Sequence, residues 1–180
     1  MSTAARNRTI GLGIAGAVFV IDQALKHLMT DVLSLKERGV IELIPFFDLR
    51  WMENYGISMG MFQATSIEMR WGLVLLTAAI AVVVAVWLLR EKLMGEIVGL
   101  ALILGGALGN IVDRFRLGYV VDYADLHFGE WRPFYIFNLA DAAITIGVVI
   151  ILLRAFFVKE PEIELPPEPG PGRSAPPSEI

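Results

Sequence analysis

Four stretches of the chain are apolar for long enough to cross a bilayer, and in each of them the polar residues collect at one end. A membrane-spanning helix takes about 20 mostly apolar residues. Residues 71–89 carry no charge, 97–112 carry none and run into Asp113, 133–153 carry only Asp141, and 9–29 are apolar until Asp22 and Lys26. Arg6 and Arg8 ahead of Ile10–Ile21 imitate a signal peptide, but no small-residue cleavage pattern follows, so the first stretch is expected to be an uncleaved span. The fold class expected is all-α integral membrane, with four transmembrane helices.

Four spans in series alternate in direction, so the end of the first, the start of the second, the end of the third and the start of the fourth lie on one side. The polar residues sit at those places: Asp22 and Lys26, then Arg70, then Asn110, Asp113 and Arg114, then Asn138 and Asp141. Asp22/Lys26 and Asn110/Arg114 are i,i+4 pairs, while Asn110/Asp113 and Asn138/Asp141 are i,i+3 pairs, so each pair occupies one helix face. An ionisable group within a span costs about 2.5–3.5 kcal/mol on insertion scales, which makes a cluster at one depth a candidate site. The competing explanation is interhelical glue.

The two connections on the polar side add to the cluster. Residues 30–69 are too many for a simple turn. Val40–Trp51 is rich in β-branched and aromatic residues and predicts short strands, hence a small β-rich subdomain, and Asn54-Tyr-Gly56-Ile-Ser-Met-Gly60 follows with two glycines four apart. The second connection, about 117–132, carries Asp122, Asp125, His127 and Glu130. Trp51, Trp71 and Trp131 fall at the same boundary, as interfacial anchors do. Gly105 and Gly109 have the spacing that lets a second helix approach closely.

Composition narrows the chemistry. Of 180 residues 56% are hydrophobic and 19% charged, against roughly a quarter charged in soluble domains. A mean hydropathy of +0.62 argues against a soluble enzyme. The lack of cysteine removes disulfides and thiolate nucleophiles, and two histidines make a histidine metal site improbable, so no metal and no cofactor are expected. Residues 160–180 hold five acids against Arg173 and seven of the nine prolines, which predicts a disordered cytoplasmic tail behind a membrane domain of residues 1–159. Arg6, Arg8, Arg90, Lys92, Arg154, Lys159 and Arg173 flank the spans on the side away from the cluster, favouring both termini in the cytoplasm.

What remains is carboxylate chemistry. Asp22, Asp113, Asp122, Asp125 and Asp141 lie at the right depth. Two carboxyl groups held close do not both ionise easily, so one keeps a proton as acid while the other serves as base towards water, which suffices for peptide hydrolysis. The alternative is a proton or ion relay in a small membrane transporter. Spacing selects neither the chemistry nor the pair.

Four blocks resemble, in order, those of the bacterial lipoprotein signal peptidases (signal peptidase II): Asp22-Gln23-Ala-Leu-Lys26; Asn54 through Gly60; Gly105-Gly-Ala-Leu-Gly109-Asn110-Ile-Val-Asp113-Arg114 through Val121-Asp122-Tyr123; and Phe137-Asn138-Leu-Ala140-Asp141-Ala-Ala-Ile144. The likeness spans about residues 15–150, and the last two blocks are the specific ones. It implies an aspartyl endopeptidase of the bacterial cytoplasmic (inner) membrane with an extracytoplasmic β-rich subdomain. The catalytic dyad would be Asp122 and Asp141 near the extracytoplasmic face, with Asp22, Lys26, Asn54, Gly56, Asn110, Asp113, Arg114 and Asn138 lining or bracing the site. Implied partners are diacylglyceryl-modified prolipoproteins, cut just before the lipidated cysteine, together with membrane lipid and globomycin-type inhibitors; a monomer with no nucleic-acid partner is expected. Three positions depart from the family pattern: Leu25 where a hydroxyl residue is frequent, and Met59 and Tyr123 where phenylalanine is usual.

Overall fold

The computed structural model describes residues 2–56 and 66–157. Met59, Gly60 and the proline-rich tail lie outside the described residues. Helix α1 (Thr3–His27) starts at Ser2, whose hydroxyl caps Ala5 N–H, and runs into a π-helical turn over Leu28–Val32. A single turn α2 (Leu35–Arg38), strands β1 (Val40–Ile44) and β2 (Phe47–Asn54), and helices α3 (Ile67–Arg90) and α4 (Met94–Arg116) follow, then strand β3 (Val120–Leu126) and helix α5 (Leu139–Phe157). Among the described residues four helices are long and apolar enough to span a membrane, the first counted from Thr3 to Val32.

Helix α4 is the centre, with α1, α3 and α5 packed around it. Its core partners are Ala15 of α1 and Ala81, Val84 and Leu88 of α3, which meet Leu100, Ala101 and Leu104. Glycines set the spacing, Gly105 being one of them, where a Cβ would run into the Ala15 carbonyl of α1. A Cβ at Gly106 would run into the Ala140 carbonyl of α5, and one at Gly109 into the Asp22 carboxylate of α1. The outward faces are apolar and exposed, as with Leu75, Val82 and Val83 of α3 and Phe156 of α5, which suits lipid contact.

The two ends of the bundle differ. At one, Arg8 of α1 donates to the Arg90 carbonyl (3.0 Å) and the Glu91 carbonyl (2.8 Å), covering the free C-terminal carbonyls of α3. At the other, Arg70 does the same for α4, donating to the carbonyls of Arg114 (3.1 Å) and Phe115 (2.9 Å). Arg70 therefore caps a helix instead of joining the polar cluster. This second end carries the antiparallel sheet, in the order β1-β2-β3. Val40 pairs with Arg50, Phe47 with Leu126 and Glu53 with Val121, and the β2–β3 register shifts between Leu49 and Met52. Met29, Leu35, Leu49, Tyr123 and Ala124 form its core.

Two elements differ from sequence expectation. The 117–132 connection holds a full strand, β3. The fourth span begins at Leu139 and not near residue 133, because Phe137 is paired in extended form with Ala124.

Candidate active site

Asn138 organises the start of α5. Its Oδ1 accepts Asp141 N–H (2.9 Å), while the Asp141 carboxylate accepts Asn138 N–H in return (3.4 Å). This is a capping box whose acid, at the third helical position, is one of the two expected catalytic residues. The amide of Asn138 faces the other way, donating to Asp122 Oδ1 (2.6 Å), the Asn110 Oδ1 (3.3 Å) and the Val121 carbonyl (3.3 Å). One fully buried side chain thus touches both acids.

Asp122 points from β3 and is fully buried. Its second oxygen accepts from Asn54 Nδ2 (3.0 Å), and Asn54 is itself oriented by Gly56 N–H (3.0 Å). Burial first, and then the charge of Asp141, push the Asp122 carboxyl up to about 7, against the downward pull of the two asparagine amides. Asp141 accepts from Asn110 Nδ2 (2.8 Å).

A buried ammonium braces both acids from below. Lys26 Nζ lies 2.9 Å from Asp22 and 2.8 Å from Asp113, and donates to Asn110 Oδ1 (3.2 Å). Asp22 then accepts Ala140 N–H (3.0 Å), next to Asp141, and Asp113 accepts Val121 N–H (3.2 Å), next to Asp122. One carboxylate holds the helix and the other holds the strand. Gln23, which the sequence did not single out, completes the layer: its amide reaches Asp113 (3.1 Å), Asp22 (3.3 Å) and the Gly109 carbonyl (3.3 Å). Its signal was adjacency to Asp22 on the face turned to α4.

The structure brings together every residue expected at the site and separates it from the other acids. Asp125 is buried between Arg50 (2.8 Å) and Arg132 (3.1 Å), and His127 pairs with Asp48 (3.0 Å). Among the described residues, three of the five candidate aspartates are paired with a cation, and only Asp122 and Asp141 have purely amide hydrogen-bond partners. Among the described residues no group of three or more His, Asp or Glu is arranged to hold a metal.

A cavity of about 630 Å³ opens between α3, α4 and α5. Ile80, Ile103 and Phe134 are among its apolar walls, and Asn54, Asn110, Arg114 and Asp141 form a polar end. Asp122 lies behind that end. Arg114 is 5% exposed; its Nη2 donates to the Gly56 carbonyl (2.7 Å), and its Nε has no partner among the described residues. A buried donor left over beside a cavity suits an acceptor on a ligand.

The family described as Signal peptidase (SPase) II matches residues 14–157. A lipoprotein signal peptidase of Rhizorhabdus wittichii is 54% identical over 87% of this chain and 91% of its own. One from Sphingopyxis alaskensis is 54% identical over 83% and 87%. A solved structure of a bacterial membrane enzyme, determined by the in meso method, superposes with a TM-score of 0.72 at 27% identity, covering 87% of this chain and 95% of the other. The matched region takes in most of the first span, the other three, the strand bearing Asp122 and the helix bearing Asp141, and on that ground the chain belongs to the signal peptidase II family.

Proposed function

We propose that this chain is an aspartic endopeptidase of the bacterial cytoplasmic membrane that removes the signal peptide from diacylglyceryl-modified prolipoproteins, cutting just before the lipidated cysteine. The observation that carries it is the isolation of Asp122 and Asp141: two acids without a cation partner among the described residues, joined through one asparagine, Asp141 at the polar end of an apolar cavity and Asp122 just behind it. The relatives' description as lipoprotein signal peptidases supplies the substrate class.

The geometry supports a division of labour. Asp122, buried and held near 7, carries the proton of the pair. Asp141 faces the cavity and takes a proton from water as the water oxygen bonds to the scissile carbonyl carbon. When the carbon–nitrogen bond breaks, Asp122 gives its proton to the departing amine; the proton gained by Asp141 then resets the pair. Arg114 Nε serves the oxygen of the scissile carbonyl, where negative charge develops as the water oxygen adds. The apolar walls receive the diacylglyceryl group, which keeps the substrate partly in the bilayer. Globomycin-type peptides compete for the same space.

The site lies towards the extracytoplasmic face, with both termini in the cytoplasm, as the basic flanks favour. The chain acts as a monomer, since its site is complete within one copy. A proton relay is disfavoured, because Asp22 and Asp113 are already committed to Lys26.

The test uses purified enzyme with a lipidated and an unlipidated precursor. Cleavage of the lipidated form alone, blocked by globomycin and lost in Asp122→Asn and Asp141→Asn, is the expected result. Wild-type cleavage by either variant rejects the dyad, and equal cleavage of both precursors rejects lipid recognition.

A further inference from the structure

We propose that Tyr123 is a positioning residue for the dyad, its hydroxyl fastening the helix that carries Asp141 to the strand that carries Asp122. The proposal rests on the dyad described above.

The first turn of a helix leaves N–H groups without intrahelical partners. In α5 three of them go to three different side chains: Asp141 N–H to Asn138, Ala140 N–H to Asp22, and Leu139 N–H to the Tyr123 hydroxyl (3.3 Å). The first two are read from residues of the family pattern. The third is not, since phenylalanine is usual at this position and has no oxygen to offer.

The backbone shows what the hydroxyl adds. Tyr123 N–H and Ala124 N–H both donate to the Phe137 carbonyl (3.1 and 2.8 Å), and Phe137 N–H returns to Ala124 (3.1 Å). That seam stops one residue short of Asn138, before the helix begins. The Tyr123 hydroxyl extends it to Leu139, into the turn that presents Asp141. Tyr123 is 6% exposed, and its ring sits in the subdomain core with Met29, Leu35 and Leu49, so the oxygen is held firmly. Burial, ahead of the nearby acids, pushes the phenol up to about 12, and it stays neutral wherever the enzyme works.

Two substitutions remove the same hydrogen bond from opposite sides. Tyr123→Phe keeps the ring and deletes the acceptor. Leu139→Pro deletes the donor at the first helical position, where proline is well accommodated. Each is expected to lower kcat by about three- to tenfold, the scale of one hydrogen bond, with KM unchanged. The alkaline limb of the pH profile should move down, because a looser seam weakens the influence of Asp141 on Asp122. The double variant should be no worse than the more affected single one. A role confined to stability would lower the melting temperature and leave that limb in place. Wild-type kcat and limb in Tyr123→Phe, a loss confined to KM, or losses that multiply in the double variant would overturn the proposal. If Leu139→Pro does not fold, Tyr123→Phe alone decides. Inactivity of Asp122→Asn alongside a fully normal Tyr123→Phe removes this proposal and leaves the dyad standing; activity in Asp122→Asn removes the dyad itself.

Discussion

Asn138 is the residue whose replacement separates holding the helix from tuning the acids. Truncation to alanine removes the N-cap of α5, worth about 1 kcal/mol. It also removes the 2.6 Å donor to Asp122, and a hydrogen bond to a charged group is worth about 1.5–3 kcal/mol. At 1.36 kcal/mol per decade, the second loss, felt in the transition state, is expected to cut kcat by about 10- to 100-fold. Asn138→Ser keeps a capping oxygen and drops the amide donor, so it should recover most of the thermal stability lost in Asn138→Ala and little of the activity. The amide also pulls the Asp122 carboxyl down against burial, so its removal lets that carboxyl climb beyond about 7 and moves the alkaline limb of the profile upwards. The assay is cleavage of a lipidated precursor across pH, with melting in detergent beside it. Full activity in Asn138→Ser would refute the reasoning, since the cap alone would then explain the residue.

Three further outcomes follow from the site. Lys26→Met leaves two buried carboxylates, Asp22 and Asp113, without their cation; a melting measurement should register the loss of about 3–5 kcal/mol typical of breaking a buried pair, and an unchanged midpoint contradicts it. Gly109→Ala drives a Cβ into the Asp22 carboxylate, an overpacking cost of about 1–3 kcal/mol, whereas Gly13→Ala, with nothing within 4 Å, should melt and cleave like the parent; equal behaviour of the two variants counts against the close approach. With Asp122 as the proton carrier held near 7, kcat should fall as pH rises through that value, and a rate flat to pH 9 assigns the proton elsewhere.

The spans were legible because apolar runs of this length have few other uses, and the site residues because charge within such runs is rare. Strand β3 was hidden by its own burial: Val120–Asp125 are all buried, acids included, so no alternation of apolar and polar positions marks it. The onset of α5 was blurred because hydropathy does not distinguish the non-helical Phe134–Phe137 from helix. Asn138 followed three residues later by Asp141 was the available signal. Spacing alone could not say which two of the five aspartates stand apart, and only the resemblance pointed to Asp122 and Asp141, since the discrimination lies in Lys26, Arg50 and Arg132 reaching the other three across the fold.

A lone ammonium, Lys26, is the keystone between the piece of backbone before each dyad acid. Prising the two acids apart would strand charge in a dry interior, so the catalytic gap has the character of a fixed jaw. On the proposed function, accommodating precursors of different bulk then falls to the apolar wall that includes Ile80, Ile103 and Phe134.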